Sequence, residues 1–133
     1  MRRILKKLII ICVVITLFSF DGVQEHQCNA TWYKTAKYPI VHREHSTAAV
    51  SDYLISKMGL KVGVRYYNKK LGKYVTKRGT RLIVTNLNNH KKDTIEVTDR
   101  CEAGPKHIDL CLRSFVKISK KSVGKIPVTI KKI

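Results

Sequence analysis

Residues Arg81 to Thr98 constrain this chain more than any other stretch. Arg81-Leu82-Ile83-Val84-Thr85-Asn86-Leu87 and Asp93-Thr94-Ile95-Glu96-Val97-Thr98 flank the polar turn Asn88-Asn89-His90. Each run alternates in character, the period-2 signature of a half-buried strand, and together they read as a β-hairpin. Leu82, Val84 and the end residue Asn86 fall on one face, with Ile95 and Val97 beside them on the partner strand. That face must be covered by other apolar segments, and the return strand delivers Asp99 at its end.

The remaining segments are short and mostly of the same kind. Ala30-Thr31-Trp32-Tyr33 reads as a strand, Val64–Tyr67 and Tyr74–Thr76 as a second hairpin around Asn68–Gly72, and Ile126–Ile130 as a last strand with Pro127 at its start or on an edge. Asp52–Met58 suits a helical turn or two before Gly59. Leu112, Phe115, Val116 and Ile118 predict a short helix with a buried stripe, stopped by Gly124. No repeat, linker or low-complexity tract interrupts the 133 residues. One mainly β domain is expected, together with an N-terminal segment.

That segment is residues 1–22. Arg2, Arg3, Lys6 and Lys7 precede the apolar run Leu8–Phe20, whose 13 residues fall short of the ~20 that span a bilayer and fit a secretory signal. Ser19-Phe20-Asp21-Gly22 gives no clean cleavage pattern, so an uncleaved anchor is the alternative. A secreted, periplasmic or cell-envelope location follows in either case. There, Cys28, Cys101 and Cys111 meet oxidising conditions. Cys101 with Cys111 is the preferred disulfide because a short loop suits a local staple; Cys28 could pair with either. Lys and Arg outnumber Asp and Glu by 27 to 9, and such a surface attracts anionic polymers through a salt-sensitive field. Nothing points to a specific protein partner, and a monomer is expected.

Ile95–Cys111 holds four acidic residues, and Asp99-Arg100-Cys101 and Asp109-Leu110-Cys111 repeat one small pattern across a loop with Gly104 and Pro105. Two carboxylates at a sheet rim are what glycosidic bond cleavage uses, one of them as a proton donor. The structural alternatives are that Asp109 caps the helix near Leu112 and that Asp99 pairs with Arg100 or a lysine. His42, Glu44 and His45 lie on an irregular segment where spacing fixes no shared face, so no metal site is predicted, and no cofactor. Trp32, Tyr33, Tyr66, Tyr67 and Tyr74 can serve sugar stacking or packing alike. A nucleic-acid reading finds no aromatic platform interleaved with the lysines.

In this order, Ala30-Thr31-Trp32-Tyr33, Thr47-Ala48-Ala49, Gly79–Leu87, Val97–Cys101, His107–Leu110 and Gly124–Val128 resemble rare lipoprotein A-like and expansin-like domains over residues 28–133. The resemblance implies a six-stranded double-psi β-barrel with one or two short helices and a polysaccharide-binding groove. It implies Asp99 and Asp109 as the catalytic candidates, with Trp32, Tyr33, Arg100 and His107 as substrate-binding ones. Rare lipoprotein A enzymes also use a glutamate before Thr-Ala-Ala and a histidine after it; here Pro39 lies near the first position and Val50 occupies the second. Ser51–Arg78, containing the first hairpin, is an insertion where the family has a short connection. Two functions follow: a peptidoglycan-directed lytic transglycosylase, in which Asp99 or Asp109 protonates the glycosidic oxygen while the sugar's 6-hydroxyl closes on the anomeric carbon, or a non-catalytic expansin-like protein that binds or loosens wall polysaccharide.

Overall fold

The computed structural model describes residues 24–34 and 46–133. The N-terminal segment 1–22, His42, Glu44 and His45 lie outside the described residues. The chain runs β1 (Glu25–Tyr33), β2 (Thr47–Ser51), α1 (Asp52–Met58), β3 (Val64–Asn68), β4 (Lys73–Lys77), β5 (Arg81–Asn86), β6 (Lys92–Cys101), β7 (His107–Cys111), α2 (Leu112–Ile118), a 3₁₀ turn (Lys121–Val123) and β8 (Ile126–Lys132).

Six strands close into a barrel in the order β1-β7-β2-β6-β5-β8, and β3-β4 form a separate two-stranded sheet. The mainly β, six-stranded barrel with two short helices is therefore the observed architecture. Two of its ladders, β1 with β7 and β2 with β6, are parallel. Parallel neighbours cannot be joined by a tight turn, so each of these pairs unites segments distant in sequence. The predicted hairpin is β5-β6, with Leu82 opposite Ile95. Its inward residues Leu82, Val84, Ile95 and Val97 meet Ala30, Ile108, Leu110, Ile126, Val128 and Ile130 in one core. Asn86, at the end of that face, is buried, but its Nδ2 donates to the Ile118 carbonyl at 2.8 Å, so it enters the core with a partner.

Strand β2 is buried along its whole length as Thr-Ala-Ala-Val-Ser. Its small residues let it lie between β6 and β7. Ser51 then ends the strand by capping α1, its Oγ accepting from Leu54 N, while the same hydroxyl donates to the Pro105 carbonyl at 2.5 Å. In α2 the buried residues are Ser114, Phe115 and Ile118, whereas Val116 is exposed. The helical period sets 115 and 118 on one face and turns 116 outward, which corrects the predicted stripe. The helix ends at Ser119; Gly124, at φ 75°, terminates the 3₁₀ turn instead.

The preferred disulfide does not form: Cys28, Cys101 and Cys111 are all free. β2 separates the two strands concerned, Cys101 lying beside Ser51 and Cys111 beside Thr47 at opposite ends of β2. Two strand spacings and four residues of rise put their backbones roughly 16 Å apart, whereas a disulfide needs Cα atoms within about 7 Å. A short loop in sequence is here a long path around a strand.

Candidate functional site

The outer face of β1, β7, β2 and β6 carries the polar residues singled out above. Register aligns them in a row: Thr31 lies opposite Asp109, Asp109 opposite Ala49, and Ala49 opposite Asp99. Ala49 thus has one aspartate on each side and is itself buried. Their backbones are two strand spacings apart, roughly 10 Å. What aligns Asp99 is an irregularity in the β2-β6 ladder between Ala48 and Ala49, where β6 advances from Val97 to Asp99. Thr98 is the extra residue of this bulge, and its Oγ1 is buried with no partner among the described residues. Bulges re-aim side chains, and this one sets Asp99 rather than Thr98 beside Ala49.

Asp109 sits in a defined hydrogen-bond chain. Thr31 Oγ1 donates to Asp109 Oδ1 at 2.8 Å and lies 2.8 Å from His107 Nε2. The hydroxyl has one proton, so if it donates to Asp109 it accepts from an Nε2–H of His107. Burial lowers the His107 pKa from its ordinary value; neighbouring Asp109 opposes the shift and Lys125 adds to it. A neutral imidazole therefore orients the threonine, and the threonine orients the carboxylate.

This burial has a measurable sign. A histidine held neutral by folding stabilises the fold fully above its unfolded pKa near 6.5, and that contribution is lost as pH falls through the lower folded value. Melting temperatures of the parent and of His107→Gln, taken from pH 7.5 down to 5, are expected to converge on acidification. Parallel curves would remove the assignment.

Tyr33 overhangs the same face, its hydroxyl 3.2 Å from Thr47 Oγ1. Burial pushes its pKa up to about 12; the Thr47 hydrogen bond opposes this, and Cys111, Asp109 and Asp99 reinforce it. It remains a neutral phenol above the aspartates. Cys101 is the neighbour on the other side. Burial raises its pKa, the Ala103 backbone works against the rise, and Asp109, Asp52 and Asp99 add to it. Its sulfur is a thiol pointing at the His107 carbonyl, 3.8 Å away, and a poor nucleophile at neutral pH.

Four sequence candidates, Asp99, Asp109, Tyr33 and His107, thus belong to one face. Trp32 does not: it alternates to the opposite side of β1, packs against the core cluster and carries Lys121 Nζ 5.1 Å from its ring centroid. Arg100 also turns away, forming an ion pair with Asp52 at the start of α1. Asp109 caps no helix, because the N-cap of α2 is Cys111 and makes no side-chain cap bond. Asp99 accepts the backbone N–H of Arg100 at 2.7 Å rather than its guanidinium. Val50 is fully buried in the core. Sequence reasoning missed Thr31 as a working residue; its place two residues before Tyr33 on an alternating strand was the available signal. Beyond the Thr47 end of the face lies a cavity of about 530 Å³ bordered by Ser46, Arg78, Arg81, Glu96, Arg113 and Lys117. Neither aspartate lines it.

No family model and no curated protein matches the chain. Among solved structures it is similar to apo expansin from Clavibacter michiganensis, with a TM-score of 0.60 and 19% identity, covering 83% of this chain and 50% of that one. It is equally similar to a mutant of the same expansin in complex with cellohexaose, with a TM-score of 0.59, 18% identity and the same coverages. At such identities the likeness is one of fold, and the chain spans half the length of the expansin structures it matches.

Proposed function

We propose that this chain is an exported, expansin-like domain that binds wall polysaccharide along the Thr31–Asp109–Ala49–Asp99 row, without cleaving it. The observation that carries this reading is the cluster on the outer face of the barrel, where Thr31 Oγ1 lies 2.8 Å from both His107 Nε2 and Asp109 Oδ1. Hydroxyl, imidazole and carboxyl groups set side by side are suited to hydrogen-bonding the hydroxyls of a sugar chain. Thr31, Asp109 and Asp99 lie in one row across neighbouring strands, which suits an extended polymer, and a mutant of the expansin with the same fold is in complex with cellohexaose in its crystal. Export rests on residues 1–22. Val50, standing where rare lipoprotein A enzymes have their histidine, also favours binding over transglycosylation.

Hydrogen bonds to a charged acceptor contribute roughly 1.5–3 kcal/mol, so Asp109→Asn is expected to weaken polymer binding about 10- to 100-fold. Thr31→Val follows in the same direction. Co-sedimentation with insoluble cellulose and with purified peptidoglycan sacculi measures this, while mass analysis of the supernatant looks for released sugars. Binding lost in Asp109→Asn without soluble products supports the proposal. Anhydro-muropeptides that appear with the parent protein and vanish in Asp109→Asn would instead establish the lytic transglycosylase, and undiminished binding by both variants would move the ligand off this row.

A further inference from the structure

The β3-β4 hairpin stands apart from the barrel. It forms its own sheet, with Tyr66 opposite Val75 and Tyr67 opposite Tyr74. Two-stranded hairpins have no core of their own and are marginal in water. This one is fixed at its base instead. Gly63 N donates to the Val97 carbonyl, Thr80 N to the Lys61 carbonyl, and Val97 N to the Thr80 carbonyl. The buried Glu96 carboxylate accepts Gly79 N at 2.8 Å and pairs with Arg78.

Beyond that stem the hairpin carries aromatic surface on both faces. Tyr66, Tyr67 and Tyr74 are 40%, 52% and 62% exposed, values at which burial cannot explain three tyrosines within nine residues. The same segment, Val64–Lys77, holds Arg65, Lys69, Lys70, Lys73 and Lys77 and no acidic residue. Rings and cations are interleaved in space: Arg65 lies 4.9 Å from the Tyr74 centroid, Lys77 lies 5.9 Å from that of Tyr66, and Tyr67 meets Tyr74 edge-on at 5.3 Å. These contacts hold the rings in place while each ring stays at least 40% exposed. The aromatic platform interleaved with cations that was not evident in the sequence is therefore present.

We propose that this hairpin is a binding arm for an acidic polysaccharide, a polymer whose sugar rings stack on the tyrosines while its spaced carboxylates meet the lysines. The electron-rich ring face suits the C–H surface of a pyranose. Four of the five cations are lysines, mobile point charges fitted to charges strung along a chain rather than to one bidentate phosphate. The arm is separate from the aspartate row, so its ligand need not be the polymer bound there.

Affinity electrophoresis of the full chain through gels containing polygalacturonate, neutral hydroxyethylcellulose or oligothymidylate tests the arm. Tyr67→Ala/Tyr74→Ala and Lys69→Ala/Lys70→Ala/Lys73→Ala are each expected to weaken polygalacturonate binding about tenfold or more. Tyr67→Phe/Tyr74→Phe and Asp109→Asn are expected to retain it. All these side chains are exposed or lie outside the core, and an unchanged melting temperature confirms folding. Alanine variants that bind like the parent would overturn the proposal. So would loss confined to the lysine variant, which reduces the arm to an unspecific field, or tighter retention by oligothymidylate. Loss of polygalacturonate binding in Asp109→Asn would assign the acidic polymer to the aspartate row. Failure of the row reading alone leaves the arm variants' effect intact.

Discussion

Gly79→Ala is expected to abolish the accumulation of folded protein, or to cost roughly 4 kcal/mol or more if any folds. A Cβ at Gly79 would lie 1.9 Å from the Val97 carbonyl oxygen and 2.7 Å from Gly63 N. Both are backbone atoms, so no side chain can swing aside. Nor can the backbone yield cheaply, because the Gly63 N–H and the Val97 carbonyl hydrogen-bond each other and Gly79 N is itself held by Glu96. Gly72→Ala is the control. Gly72 has a φ of +62° and open space around it, so alanine there costs only the left-handed conformation, about 1–2 kcal/mol. Urea unfolding midpoints of the two variants measure the gap, and a Gly79→Ala protein as stable as Gly72→Ala would refute the described packing.

Phe115→Ala is the second large effect, with an expected loss of about 3–5 kcal/mol. Phe115 is completely buried and is the largest such side chain among the described residues. It belongs to a seven-residue helix, too short to persist alone. Packing against the barrel is what keeps α2 helical, so the cavity and the loosened helix act together. α2 also positions Lys117, whose Nζ holds Asp93 at 3.1 Å, and follows directly on Cys111. Chemical denaturation of Phe115→Ala, with Val116→Ala as the exposed neighbour expected to change little, isolates the packing contribution.

The parts of this fold visible in sequence were those governed by local rules. The Leu82/Val84 and Ile95/Val97 alternation, the turn at Asn88–His90 and the Asn68–Gly72 hairpin each declare themselves within a dozen residues, and each is present. β1 begins earlier than its β-branched and aromatic residues suggested, because Glu25–Gln27 pair with β8 despite their polarity. His107–Cys111 gave no strand signal of its own, since a strand between β1 and β2 can carry polar residues on its outer face. Closure and the two parallel ladders depend on non-local pairing, for which no turn residue speaks. The candidate site was legible as residue types and not as geometry. Asp99 and Asp109 stood out by pattern and do share a face, but the agent that joins them is Ala49 on a third strand, with a bulge at Thr98, and not a disulfide. Trp32 looked like a sugar platform by type; one position of alternation turns it to the core side, where it is partly buried.

The barrel's closure bears on how copies of this protein meet one another. A ring has no first or last strand, so the barrel offers no free edge to template a second chain. Among the described strands, open edges belong only to β3 and β4. Self-association through strand addition is thus concentrated on the hairpin, where Arg65, Lys73 and Lys77 stand along the strands. Two such edges approaching each other bring like charges together, whereas a polyanion relieves them. The cations that recruit an acidic polymer thereby also keep the free protein from pairing with itself.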